Sequence, residues 1–297
     1  MSQSKKIRSI NPEDLSVRQR HLHLLASVAP RPIALASTTD KDGNINLSPF
    51  SFFNVFSANP PIMVFSPSRR GRDNTEKHTY QNLREVPEVS INVVTYDMVQ
   101  QISLSSTEYE KGVNEFIKSG LTAVDSDEIT PPRVAESPVS FECRVDQIIE
   151  LGKEGGAGIL ILARVIKMHI DEAVIDDNGL IKTHELDLVG RMGGNWYSRT
   201  NQSALFEVQK PLSTKGIGVD QLPTHVRFSK ILTGNDLGIL GNLKALPGSA
   251  ETRAIADEEE FSSIIKDKDV DAIHKKAKIL IEENQPEKAL TLLSVVE

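Results

Sequence analysis

Apolar residues in the first two-thirds of the chain fall into short alternating or continuous runs separated by turn residues, a pattern typical of β-strands. The turn Asp40–Gly43 stands between two such runs, and an Asp-Gly pair in that setting is a strong hairpin signal. The predicted strands cover residues 32–38, 44–52, 62–65, 89–94, 139–151, 157–170 and 185–190. Strands of this number with tight turns predict a small closed or partly closed antiparallel barrel, since closure removes exposed strand edges.

Helical periodicity is confined to a few segments beside these strands. Asn11 and Pro12 are typical of a helix start, as cap and first helical residue, and the helix would continue to about residue 26. Further helices are predicted at 76–85 and, in two pieces, within 96–118. The strand-helix alternation of a doubly wound sheet is absent, so the prediction is a mainly β fold with flanking helices.

A glycine-rich segment, residues 152–158, lies between the two longest predicted strands. A dinucleotide-binding fingerprint would require a helix directly after the glycines. The residues that follow, Ile159–Val165, are strand-like instead. The segment is therefore predicted to be the tip of a hairpin rather than a phosphate-binding loop.

The pattern changes in the last third of the chain. Residues 201–256 contain scattered glycine and proline and are predicted to be loop-rich, whereas residues 257–297 have apolar positions at helical spacing. Two helices separated by Asn284–Pro286 resemble one hairpin of a helical repeat, and a single such unit cannot bury its own apolar face. The sequence thus predicts one domain over residues 1–200 and a C-terminal extension over 201–297, whose helices pack on the barrel or on a partner subunit.

The composition is that of an ordinary globular protein, with 39% hydrophobic and 25% charged residues. The formal net charge of −7 disfavours nucleic acid or an anionic membrane as a partner, because both require a basic face. The segment Arg69–Arg72 is a local basic exception, either a solvated loop or the mouth of a site for an anionic ligand.

The single cysteine, Cys143, is predicted to be a core thiol. Neither a signal peptide nor a membrane-spanning run is recognisable, so we expect a cytoplasmic protein.

Small hydroxyl side chains recur at predicted strand ends in the first quarter of the chain, where they can face a ligand. They are Ser37, Thr38, Ser48, Ser51 and Ser66. Pro49 interrupts regular strand pairing. Lys77 and Thr79 stand at a predicted helix start, which favours an anion, and Arg69 would add charge from the preceding loop. Such a set suits a flat aromatic cofactor that carries a phosphate. The alternative interpretation is structural: the hydroxyls form turns, and phenylalanines such as Phe50 fill the barrel core.

Several short motifs follow one another in a distinctive order between about residues 20 and 200. They are Arg31-Pro32-Ile33 with Ser37-Thr38, Asp40 with Gly43, Asn46–Asn54 (NLSPFSFFN), Pro60-Pro61, Phe65-Ser66, Lys77–Asn82 (KHTYQN) and Arg191–Tyr197 (RMGGNWY). This order resembles the flavin reductase-like family of FMN-binding split barrels, and the serine-proline-phenylalanine run is the most specific part. One departure is His78, where the family often has aspartate.

The resemblance implies a split β-barrel that binds FMN, typically as a homodimer with the flavin near the subunit interface. The implied cofactor-binding residues are Ser37, Thr38, Ser48, Pro49, Phe50, Ser51 and Ser66 around the flavin, and Arg69, Lys77, Thr79 and Asn82 near its phosphate. The resemblance further implies an NAD(P)H-dependent flavin oxidoreductase. Hydride would pass from nicotinamide C4 to flavin N5, so no catalytic side chain is required. The reduced flavin would serve a monooxygenase or another electron acceptor.

Two other functions fit the same features. A non-enzymatic flavin protein, an electron carrier or sensor, would bind flavin without turning over NADH or NADPH. A flavin oxidase of the pyridoxamine-phosphate oxidase type would reduce its flavin with a small phosphorylated amine instead. A metal enzyme is a weaker hypothesis, because His21 and His23 are two residues apart on a predicted helix and do not face each other.

Overall fold

The computed structural model describes residues 6–208, 210–211 and 215–296. The chain forms two compact units, of which the first ends at Phe206 and the second begins at Glu207. The helices of the first unit are α1 (Val17–Ser27), α2 (His78–Glu85), α3 (Val99–Ser105) and α4 (Glu115–Ser119). Its strands are β1 (Ala34–Thr39), β2 (Ile45–Phe50), β3 (Phe53–Ala58), β4 (Pro61–Phe65), β5 (Glu88–Asn92), β6 (Ala123–Val124), β7 (Arg133–Val134), β8 (Val139–Glu150), β9 (Ile159–Ile170), β10 (Leu188–Arg191) and β11 (Tyr197–Thr200).

A seven-stranded antiparallel sheet organises the first unit, in the order β2-β1-β5-β8-β9-β4-β3. The mainly β architecture with flanking helices is as predicted. Four strands were missed: β3, β11 and the two-residue strands β6 and β7. In β3 the side chains of Val55 and Phe56 are exposed and the strand lies at the sheet edge, so its sequence lacks the alternation that marks a half-buried strand.

Alternate residues of β1 enter two different apolar cores, because successive side chains of a strand point to opposite faces. Ala36 packs in a core with Tyr80 of α2, whereas Leu35 packs in a second core with Phe116 of α4. Cys143 is buried in the first of these cores, where burial raises the pKa of its thiol to about 12. The prediction of a core thiol is therefore confirmed.

The first helix begins later than predicted. Asn11 caps only a short 3-10 turn, in which its Oδ1 accepts the backbone N–H of Glu13 at 3.1 Å. A reciprocal pair of bonds then starts α1: the N–H of Gln19 donates to Ser16 Oγ at 3.3 Å, and the N–H of Ser16 donates to Gln19 Oε1 at 3.1 Å. The predicted start at Pro12 is wrong because this capping box is the stronger signal.

The second unit is helical throughout most of its described length. Its helices are α5 (Thr224–Arg227), α6 (Gly234–Gly241), α7 (Ser249–Ala256), α8 (Glu259–Lys266), α9 (Val270–Glu282) and α10 (Pro286–Leu293). The first three lie where loops were predicted. They bury the apolar face of α9 and α10 in one core that includes Leu240, Ile255, Phe261 and Leu290. The expectation that this face needs the barrel or a partner subunit to cover it is therefore wrong. No helix among the residues described here is long and apolar enough to cross a membrane.

Two histidines, His225 and His274, lie side by side in the second unit and are called here the histidine pair. His225 Nδ1 is 3.0 Å from His274 Nε2, and Ser229 Oγ is 2.8 Å from His274 Nδ1. Ser229 Oγ also accepts the N–H groups of Ile231 and Leu232, so its own proton is donated to His274. His274 Nε2–H then donates to His225 Nδ1. Burial and the neighbouring His225 lower the pKa of His274.

Candidate functional site

Four polar side chains join the β1–β2 hairpin to α2 in a buried network. Thr38 of β1 lies opposite Asn46 of β2, and residues paired across antiparallel strands share a face. The side-chain amide of Asn46 donates to Thr79 Oγ1 at 2.9 Å, and that of Asn82 donates to Thr38 Oγ1 at 3.2 Å. All four residues are buried. The network therefore fixes the first turns of α2 against the hairpin, and it brings together three of the predicted site residues.

The remaining predicted residues of the hairpin strands divide between its two faces. Ser48 and Phe50 share the face of Thr38, because strand side chains alternate. Ser37 and Pro49 lie on the opposite face. Ser37 has no exposed surface, and its Oγ has no hydrogen-bond partner among the described residues. The structure thus directs Ser48 and Phe50, but not Ser37 and Pro49, towards α2.

Ser66 and Arg69 begin the loop that follows β4, and both are bonded to the tip of the β8–β9 hairpin. Ser66 Oγ accepts the N–H of Ile159 at 3.0 Å, and the N–H of Arg69 donates to the carbonyl of Ala157 at 3.0 Å. A Cβ at Gly155 would lie 3.1 Å from a backbone oxygen of the loop, so this close approach favours glycine. The prediction that the glycine-rich segment is a hairpin tip is confirmed by the pairing of β8 with β9.

Three cations after β4 converge on one carboxylate. Arg70 Nε lies 2.9 Å from Glu108 Oε1, and Lys77 Nζ lies 3.7 Å from the same oxygen. The guanidinium of Arg72 contacts Glu108 Oε2. We call Arg70, Arg72 and Lys77 the basic cluster. Sequence reasoning had included Lys77 in the site and Arg70 and Arg72 in a basic loop, but it had not identified Glu108.

The electrostatics of the basic cluster favour an anion. Burial, with a further contribution from the nearby Arg70, lowers the pKa of Lys77. Burial alone would raise the pKa of Glu108, but the hydrogen bond and charge of Arg70 outweigh it and hold that pKa below its usual range. Glu108 is therefore an anion at neutral pH. Arg69 lies beside the cluster and pairs with Glu76 at 3.2 Å instead.

His78, the first residue of α2, lies between the buried network and the basic cluster. With Asp40, Asn46 and Asn82 it lines a polar cleft of about 10 Å³, the size of one water molecule. Burial and then the charge of Arg70 lower the pKa of His78, so its ring is neutral at pH 7. A neutral imidazole at this position adds no negative charge beside the cluster.

A second feature is an open groove of about 660 Å³ between α1 and the turn that joins β10 to β11. Its lining is mostly apolar and includes Leu22 and Ala26 of α1 and the exposed Trp196. A Cβ at Gly193 would lie 3.1 Å from both Cα and Cβ of Ala26, so glycine lets the turn approach α1. This volume is within the range of small-molecule sites.

Arg31 ties the two walls of this groove together. Its Nη1 donates to two carbonyls at the end of α1, at 2.5 and 2.7 Å, and its Nη2 donates to the carbonyl of Met192 at 3.1 Å. Its Nε is 3.5 Å from the half-buried Ser51, the remaining predicted site residue. The arginine of the Arg-Pro-Ile motif therefore positions α1 and the late glycine turn.

One cluster of possible metal ligands lies away from these features: Asp127, Glu142 and His169 have ligand atoms within 4.8 Å of one another. Glu142 already accepts the N–H groups of Asp127 and Glu128, at 2.8 and 2.7 Å, and contacts His169 Nε2 at 2.6 Å. The ammonium of Lys167 lies 2.6 Å from Asp127. Protein donors thus satisfy the buried carboxylate, and the cluster fastens a loop to β8 and β9.

The model of the Flavin reductase like domain family matches residues 26–185, more than half of the chain. The chain therefore belongs to this family, and the resemblance stated from its motifs is confirmed. The match lies within the first unit and includes the hairpin, α2 and the basic cluster.

Several known proteins are similar to the chain. An uncharacterized protein of Halalkalibacterium halodurans is 34% identical over 204 residues, 68% of this chain and 96% of that protein. Nitrilotriacetate monooxygenase component B from Bacillus cereus superposes with a TM-score of 0.64 at 28% identity, over 69% of this chain and 100% of that chain. Pseudomonas fluorescens 2-nitrobenzoate 2-nitroreductase NbaA gives 0.61 at 25% identity, over 70% and 100%. A protein with a split barrel domain from Shewanella frigidimarina NCIMB 400 gives 0.57 at 24% identity, over 67% and 96%, and shows the fold alone.

The residues present fit the phosphate of a flavin. The carboxylate of Glu108 is an oxyanion held by three cations, and a phosphate presents similar oxygens with a second negative charge. The first turn of the eight-residue α2 adds backbone N–H groups and the positive end of the helix dipole. Lys77, directly before α2, belongs to both arrangements.

Proposed function

We propose that this protein is an NAD(P)H-dependent flavin oxidoreductase that binds FMN beside α2 and the β1–β2 hairpin. The observation that carries the proposal is the convergence of Arg70, Arg72 and Lys77 on one carboxylate, within the residues matched by the family. The bound flavin would supply the chemistry, by accepting hydride at N5 from nicotinamide C4. The protein would bind and orient the cofactor and exclude water from it.

The predicted site residues would divide into groups by position. Arg69, Lys77, Thr79 and Asn82 would bind or orient the phosphate, and Thr38, Ser48, Phe50, Ser51 and Ser66 would lie around the flavin ring. Ser37 and Pro49 would shape the hairpin from its other face. Buried donors that already have partners, such as Asn46, would act by holding α2 in place.

The partners are also proposals. A homodimer is supported by large apolar side chains at the surface, since Phe56 is 70% and Trp196 is 78% exposed. A monomer in sedimentation velocity would contradict it. The similarity to a monooxygenase component supports an oxygenase as acceptor of reduced flavin. The similarity to a nitroreductase favours a second candidate, direct reduction of a small acceptor at the bound flavin.

The test is to mix the purified protein with FMN without oxygen, add NADH or NADPH, and follow the visible absorbance of the flavin. We expect bleaching that depends on the protein and is faster with one of the two nicotinamides. Flavin that binds but stays oxidised would contradict the reductase and favour a carrier or sensor. Reduction by a phosphorylated amine alone would favour the oxidase, and absence of binding would contradict every flavin function.

A further inference from the structure

Glu108 lies in the connection between α3 and α4, residues 106–114, which contains neither helix nor strand. Among the described residues, its carboxylate contacts only the three cations of the basic cluster. Its side chain is 34% exposed. It would therefore be able to leave the cluster without breaking a helix, a strand or another side-chain contact.

Two of the three cations, Arg70 and Arg72, have other partners that would keep them in place without Glu108. Arg70 Nη1 also donates to Thr75 Oγ1 at 3.0 Å and to the carbonyl of Glu76 at 2.6 Å. Arg72 Nε lies 3.0 Å from a carboxylate oxygen of Asp73. The two arginines are therefore held by their own loop, and for them Glu108 is an added anion rather than a scaffold.

The charges of the cluster favour one anion at a time, either the carboxylate of Glu108 or a phosphate. Three cations face the carboxylates of Asp73 and Glu108, which leaves one positive charge. With a phosphate dianion in the place of Glu108, the three cations would face Asp73 and two phosphate charges, and the cluster would be neutral. With both anions present, the cluster would be negative, which is unfavourable for groups partly withdrawn from water.

We propose that Glu108 is an internal competitor for the phosphate, occupying the basic cluster when no flavin is bound and displaced by the phosphate of FMN. This inference rests on the proposed function and adds a specificity-determining residue to it. Because displacement is needed only for a phosphorylated flavin, Glu108 weakens the binding of FMN and leaves that of riboflavin unchanged. It thereby sets how strongly the site prefers the phosphorylated cofactor.

The test compares the dissociation constants of FMN and riboflavin for the wild-type chain, Glu108→Gln and Glu110→Gln, by calorimetry or flavin fluorescence. Glu108→Gln keeps the shape of the side chain without its charge, so we expect FMN to bind about two- to fivefold tighter, as for loss of one partly exposed ion pair. Riboflavin should bind all three proteins equally, which also reports a folded site. Glu110→Gln removes the same charge from an exposed position two residues away and should change neither constant.

An FMN constant that is unchanged or weaker in Glu108→Gln would overturn the inference. An equal gain in Glu110→Gln, or an equal gain for riboflavin, would also overturn it, because either would indicate a general effect of charge or folding. If all three proteins bind FMN equally, the proposed function survives and only the competitor fails. If neither the wild type nor Glu108→Gln binds FMN, the proposed function fails with it.

Discussion

The basic cluster and the histidine pair both gather ionisable side chains, but their surroundings differ. The cluster stands on loops at the surface, where Arg72 is 69% exposed and water supports its charge. His274 is only 3% exposed and is surrounded by neutral hydrogen bonds from Ser229 and to His225. The side chains of the basic cluster therefore remain charged, whereas burial disfavours a charge on the histidine pair.

This difference indicates that the basic cluster is suited to bind a ligand, whereas the histidine pair stabilises the fold. A charged group on a loop exchanges one partner for another at small cost, because water solvates the intermediate arrangement. A buried neutral group has one set of partners and loses stability when that set changes. We therefore expect substitutions in the basic cluster to alter ligand affinity, and substitutions around the histidine pair to alter the free energy of unfolding of the second unit.

The largest expected effect is on the interior of the second unit. Phe261 of α8 is fully buried among the residues of its core. Phe261→Ala should lower the free energy of unfolding of this unit by about 3–5 kcal/mol, the cost of lost burial and of the cavity left behind. Hydrogen exchange of the α9 amides measures this change in the full chain. Phe228→Ala, at a side chain that is 75% exposed, should change it by less than about 0.5 kcal/mol. Equal effects of the two variants would contradict the assigned core.

The next effect is on flavin affinity. Lys77→Ala removes a half-buried cation at the start of α2 and should weaken FMN binding about ten- to a hundredfold, as for loss of a charged hydrogen bond worth about 1.5–3 kcal/mol. Calorimetry with FMN and riboflavin measures it, and riboflavin affinity should stay the same. Lys41→Ala removes the same charge from an exposed turn and is the matched control. If Lys77→Ala bound FMN as tightly as the wild type, the phosphate would not bind beside Lys77.

Much of the frame around the cluster was predictable from local sequence. Asp40–Gly43 specifies the hairpin by its turn chemistry, and the runs on either side have the period of strands. The same period would also have identified Asn46, because it lies two residues before Ser48 and therefore on the same face. The same alternation places Ser37 and Thr38 on opposite faces of β1. The prediction that both face the ligand did not take this alternation into account.

Glu108 was not predictable, because it is 36 residues from Arg72 and its segment has neither helix nor strand. Only tertiary packing brings it to the cluster.

The helix α6 is a different case. Its glycines favoured a loop, but Thr233 and Asp236 form a capping box, with Asp236 Oδ2 accepting the N–H of Thr233 at 2.6 Å. That signal in the sequence would have indicated a helix start.

The smallest expected effect is a pH dependence of the histidine pair. Burial and the adjacent His225 lower the pKa of His274 and outweigh the opposite influence of Asp271. Below about pH 6.5, the ordinary pKa of histidine, the unfolded chain therefore binds more protons than the folded unit. The stabilisation is complete above that pH and is lost as the pH falls through it, by at most about 1.4 kcal/mol per pH unit for one proton.

Hydrogen exchange of the α9 amides between about pH 7.5 and 5 would measure this slope, whose onset follows from the histidine pKa. His274→Gln removes the titrating ring, so its stability should be nearly flat where that of the wild type falls. His23→Gln removes an exposed imidazole on α1 and should keep the wild-type slope. If the stability of His274→Gln still fell with decreasing pH as in the wild type, carboxylates rather than His274 would cause the pH dependence. The histidine pair would then no longer stand as the region where the fold excludes charge, in contrast to the basic cluster that holds it.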